Sequence, residues 1–135
     1  MVKVDGGVPL EELLFFDRKE EVLPLYLTLR QRILHQLGAS WVLVQKSQIT
    51  FRSPYPFCWI SRPQGGSARR QRAACFVVSF CLGVPVEDGR IRQLVEPYSG
   101  RFMHHVMLSC PDQVDDQLLS WIAASQAFRN EKQAR

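Results

Sequence analysis

The stretch GRFMHHVMLSCPDQVDDQLLSWI, residues 100 to 122, decides the fold, because it passes from a strand pattern to a helix pattern at a single corner. In MHHVMLS (103 to 109) side chains alternate, so His104, Val106 and Leu108 share one face while Met103, His105 and Met107 share the other. Beyond Pro111 and Asp112, which suit a helix start, Val114, Leu118, Trp121, Ile122, Ser125 and Phe128 form an apolar stripe at helical spacing. The corner carries titratable groups. The two imidazoles point to opposite sides of the strand and cannot chelate one ion together. Asp112, Asp115 and Asp116 lie where carboxylates complement the positive end of a helix dipole and cap free N–H groups. The corner therefore reads as one inward histidine held by hydrogen bonds beside dipole-compensating aspartates, with no metal site.

Working outward, ACFVVSFCL (74 to 82) is a long strand, with Ala74, Phe76, Val78, Phe80 and Leu82 on one face and Cys75, Val77, Ser79 and Cys81 on the other. WVLVQ (41 to 45), QITFR (48 to 52) and FCWIS (57 to 61) are short, rich in β-branched and aromatic residues, and separated by turn-like segments. RPQGGSARRQR (62 to 72) combines proline, paired glycines and four arginines and reads as a mobile hairpin loop. GVPVEDGRIRQLVEPYSG reads as a connection with one helical turn around Ile91 to Val95. Towards the N-terminus, Val22, Tyr26, Leu29, Ile33 and Leu37 recur at helical spacing and Gly38 stops the helix. Asp17 can cap it, and Pro24 implies a start near Val22 or a bend after the first turn. A shorter helical turn follows Pro9, with Leu10, Leu13 and Leu14 on one side. The expected fold is α+β: two layers, an antiparallel sheet of about five strands with the N-terminal and C-terminal helices packed on one face.

Composition bounds the class. With 135 residues, 46% hydrophobic and 22% charged, the chain reads as one globular domain over 1–135, with flexible ends at about 1–8 and 130–135. No apolar run is long enough for a membrane span, and the N-terminus lacks the marks of a signal peptide, so a soluble cytoplasmic protein without membrane partners is expected. Cys58, Cys75, Cys81 and Cys110 show no zinc spacing. The net charge of +4 conceals an asymmetry. Between Val22 and Val86 there is no acid, while Arg30, Arg32, Lys46, Arg52, Arg62, Arg69, Arg70 and Arg72 lie there. Such a centre raises the local potential and attracts phosphates or carboxylates.

The stretch KSQITFRSPYPFCWIS, the strand FVVSFCL, the helix LPLYLTLRQRILHQLG and the run RIRQLVEPYSGRFMHHVMLSCPDQVDDQLLSWIAASQAF together resemble the domain of unknown function 5655 family. That family includes C-terminal domains of proteins named predicted transport proteins, and it is similar in outline to the YdhG-like fold, some members of which are described as frataxin-type iron chaperones. The resemblance covers about Pro9 to Lys132. It implies a fold and a cytoplasmic protein, and it supplies no catalytic residues.

No nucleophile elbow, phosphate loop, dinucleotide fingerprint or zincin motif is present, so nothing in the residues supports an enzyme, a cofactor or a catalytic residue. Two surfaces remain. The sheet face away from the helices carries Thr50, Arg52, Cys75, Val77, Ser79, Cys81, His105 and Met107 if Ile49, Phe51, Phe76, Val78, Val106 and Leu108 face inward. That face is too apolar for a plain solvated surface, so a second copy, a partner chain or a ligand is expected on it, unless the 83 to 101 connection folds across it. Whether Phe57 and Trp59 or Cys58 and Ile60 join it depends on register. The expected function is a non-enzymatic binding or accessory module, with Val77, His105 and Met107 rimmed by Arg52, Arg62 and Arg101 holding a small anionic ligand or a protein partner, with homodimerisation as one form of the latter. One alternative is nucleic-acid or phosphate binding through Arg62, Arg69, Arg70 and Arg72. Another is frataxin-like iron handling by a ridge of Glu11, Glu12, Asp17, Glu20 and Glu21.

Overall fold

The computed structural model describes residues 2–3, 7–16, 20–38, 41–63 and 75–133. Seven strands appear in chain order: β1 (Val2–Lys3), β2 (Trp41–Val44), β3 (Gln48–Arg52), β4 (Pro56–Ser61), β5 (Phe76–Leu82), β6 (Ile91–Tyr98) and β7 (Arg101–Leu108). The helices are α1 (Leu10–Leu14), α2 (Leu23–Leu37) and α3 (Asp116–Gln133). All strand pairs are antiparallel, in the spatial order β1-β2-β3-β4-β5-β7-β6. Six strands of four residues or more thus make an open sheet, with the two-residue β1 at one edge and β6 at the other. β1 begins at Val2 and α3 runs to Gln133.

The inner face follows from alternation. Val42, Ile49, Phe51, Cys58, Ile60, Phe76, Val78, Phe80, Val106 and Leu108 are all buried beneath the helices. The pairs Phe51–Cys58 and Ile49–Ile60 settle the register of β4, so Cys58 and Ile60 face inward and Trp59 joins the outer face. Both main helices lie on that inner side. Phe16 and Tyr26 pack on Phe76, and Trp121 stacks on Phe80. Pro24 sits in the first turn of α2, where a missing N–H costs no hydrogen bond, and a 3-10 turn (Glu20–Val22) leads into it. Gly38 ends α2 in the left-handed conformation, at φ 66°. The Asp17 cap lies outside the described residues.

Two expectations about the ends of the sheet are corrected. The 91 to 95 turn is part of β6, a full strand, and the 83 to 90 segment leading to it runs on the helix side, where Val86 N–H bonds the inward His104 and Arg90 binds Asp115. The outer face is therefore not covered by the 83 to 101 connection. In α1 the buried residues are not the leucines. Leu10 and Leu14 are 68% and 54% exposed, while Glu12 is fully buried with Phe15 and Phe16 beside the helix end. Glu12 Oε1 accepts hydrogen bonds from the Tyr26 hydroxyl and from Arg30 Nε, the latter at 2.6 Å. Glu12 is thus committed to the interior and does not belong to an exposed acidic ridge.

The strand-to-helix corner behaves as its residues demand. Pro111–Gln113 form a 3-10 turn, and the Gln113 side-chain oxygen accepts from the N–H groups of Ser109 and Cys110. Asp115 Oδ1 accepts from Leu118 N–H and so caps α3, while the Arg90 guanidinium beside it and that N–H hold its carboxyl below the usual range, against the opposing effect of desolvation. Asp116 pairs with Arg32 at 2.7 Å.

Candidate functional site

On the outer face the register aligns one row of side chains across six strands: Leu43, Thr50, Trp59, Ser79, His105 and Gln93. A second row, one step along, holds Ser61, Val77 and Met107. Where these rows reach the open end of β4 they form a pocket of about 540 Å³, lined by Ser61, Arg62, Pro63, Val77, Arg92, Gln93, His105 and Met107. That volume falls in the range of ordinary small-molecule sites.

The polar wall depends on an irregularity in β6. Ile91 pairs with Val106 and Gln93 pairs with the very next residue, His105, so Arg92 is an extra residue in the strand. Without that bulge, Arg92 would oppose His105 and Gln93 would turn to the helix side. With it, Arg92 and Gln93 both line the outer pocket. Among the described residues, the exposed Arg92 side chain has no hydrogen-bond, ion-pair or ring partner. Arg62 is held differently. Its Nη1 donates to the Lys46 carbonyl at 3.1 Å, its Nη2 donates to the Phe15 carbonyl, and its guanidinium lies 3.9 Å over the Phe15 ring.

His105 Nδ1 lies 2.6 Å from Ser79 Oγ, and its Nε2 has no partner among the described residues. Burial holds its pKa below the usual histidine value, with the neighbouring His104 adding to the effect. His104 occupies the other face, as alternation requires. Val86 N–H can only donate and Phe102 C=O can only accept, so Nε2 of His104 is the bare nitrogen, at 2.9 Å, and Nδ1 carries the proton, at 3.0 Å. His104 is a structural histidine stacked on Phe80 and is no part of the pocket.

Of the residues expected to bind a ligand, Arg62, Val77, His105 and Met107 come together. Arg52 and Arg101 do not line the pocket. Arg52 pairs with Pro56 at the far end of β4, and Arg101 opens β7 at that same end, five residues or roughly 17 Å of strand away from Ser61. Arg69, Arg70 and Arg72 lie outside the described residues. Alternation did not reveal Arg92 and Gln93, whose placement depends on the bulge. Among the described residues no three His, Cys, Asp or Glu side chains stand close enough to hold a metal ion, and no helix is long and apolar enough to cross a membrane.

A family model described as domain of unknown function (DUF5655) matches residues 11–130. The chain belongs to the DUF5655 family. No curated protein and no solved structure matches it. The matched span of this DUF5655 chain contains α2, strands β2 to β7, α3 as far as residue 130 and every residue lining the pocket.

Proposed function

We propose that this DUF5655 chain is a binding module that holds a small anionic ligand in the outer-face pocket. The observation that carries the reading is the bulge in β6, which turns Arg92 and Gln93 together onto the floor formed by Val77, His105 and Met107. Two arginines, an imidazole and an amide around half-buried aliphatic side chains, with no carboxylate in the lining, give a positive site with an apolar base.

The test is native mass spectrometry of untagged protein purified gently from its own cells, beside the double variant Val77→Glu with Met107→Glu. Both residues are only partly buried and point away from the core, so the double variant is expected to keep the wild-type circular dichroism spectrum. A discrete adduct on the wild-type monomer that is absent from the variant is the expected result. A bare wild-type monomer, or a dimer without adduct, would overturn the ligand reading, the dimer by assigning the face to a second copy.

A further inference from the structure

Resting on the reading above, we infer that the pocket selects a planar monocarboxylate carrying an apolar body, rather than a phosphate. The donors are few and flat. Arg62 contributes charge, but both of its terminal nitrogens are engaged by main-chain carbonyls. That leaves Arg92 as the unengaged guanidinium fork in the lining, with the Gln93 amide next to it and the free Nε2 of His105 across the strand pair. A guanidinium fork matches the two oxygens of a carboxylate in one plane. A tetrahedral dianion instead asks for a ring of donors around three oxygens, which phosphate sites supply from successive backbone N–H groups at a helix N-terminus or glycine-rich loop. The lining here is strand side chains together with Arg62 and Pro63 just beyond β4, and it includes no helix N-terminus. Ser61 adds a single hydroxyl, and the rest of the wall is apolar. Val77 and Met107 pair directly across β5 and β7, and Pro63 stands beside them, so a hydrocarbon body is received next to the fork.

The experiment is an amide-shift NMR titration of the whole chain with hexanoate, hexanol and inorganic phosphate, repeated on Arg92→Lys, which keeps the charge and removes the fork. Arg92 is exposed on an edge strand, so the variant folds as the wild type does. Hexanoate is expected to move the amides of Val77, Arg92, Gln93, His105 and Met107, and to bind at least tenfold more tightly than either hexanol or phosphate. Arg92→Lys is expected to weaken hexanoate by about tenfold. Phosphate binding equal to or tighter than hexanoate, equal binding of hexanol, or an unaffected Arg92→Lys would overturn the carboxylate assignment while leaving an occupied pocket in place. Absence of shifts at these residues with all three probes would overturn both readings.

Discussion

Arg30 Nε lies 2.6 Å from Glu12 Oε1, with both side chains almost wholly withdrawn from water. The Tyr26 hydroxyl donates to the same carboxylate oxygen, and burial together with the Glu12 charge keeps that phenol protonated well above its ordinary range. The group fastens the five-residue α1 to α2, a job that so short a helix has too few apolar positions to do alone. Breaking one side of a buried pair leaves the other charge stranded, whereas replacing both sides removes the difficulty.

Glu12→Ala is therefore expected to lose about 3–5 kcal/mol of unfolding free energy in urea, and the double variant Glu12→Leu with Arg30→Met to lose much less. Equal instability of the single and double variants would show that lost packing, not an uncompensated charge, is responsible.

His104 predicts a pH dependence. Burial lowers its pKa relative to the unfolded chain, and the bond from Val86 N–H needs a bare Nε2. The folded state thus binds the proton less readily than the unfolded state. Stability is full above the unfolded value of about 6.5 and falls as pH drops below it, because the unfolded chain takes up protons first. His105 is shifted the same way, so the two contributions must be separated. Urea midpoints at pH 7.5, 6.5 and 5.5 are expected to fall in the wild type and in His105→Gln alike. A flat profile in His105→Gln would assign the effect to the outer-face histidine instead.

Ser125 of α3 does work that a strand would otherwise do. The β4–β5 ladder ends at Cys58–Phe80, and in place of the next pair the Ser125 hydroxyl accepts from Cys81 N–H at 2.9 Å and donates to the Phe57 carbonyl at 2.7 Å. Ser125→Ala removes both bonds inside the protein and is expected to cost about 2–4 kcal/mol. The exposed Ser120→Ala serves as control and should change stability by less than about 0.5 kcal/mol. Similar small losses at both positions in thermal or chemical unfolding would contradict the bridging role.

The layers were legible because the alternation of FVVSFCL and MHHVMLS and the stripe from Val114 to Phe128 are each long enough to set a period. β6 was hidden by its own chemistry. Ile91, Leu94 and Val95 have the i, i+3, i+4 spacing of a helix, and bulges after Ile91 and after Val95 erase strict alternation. Pro97, which ends helices, is equally at home on an edge strand. The signal that pointed the other way was the Ser99–Gly100 turn, with Gly100 at φ 76°, between two runs of equal length. Two of the eight lining residues inherited that misreading. Val77, His105 and Met107 follow from parity, whereas Arg92 and Gln93 share a face only because one residue is surplus. Glu12 was misplaced because a single turn of helix has no period by which to tell its inner side.

β6 is an edge strand with β7 as its one neighbour in the sheet. β7 is held by β5 from Phe102 to Leu108 and Arg90 grips Asp115, while from Arg92 to Tyr98 every residue of the edge strand is exposed and Leu94, Val95 and Tyr98 stand 41%, 40% and 68% open. Arg92 and Gln93 of the pocket lie on that edge strand, whereas Val77 is fixed to the central sheet. Arg92 and Gln93 thus serve the pocket while adding nothing to the core, so the ligand-facing polar groups and the buried core are built from separate side chains of one small sheet.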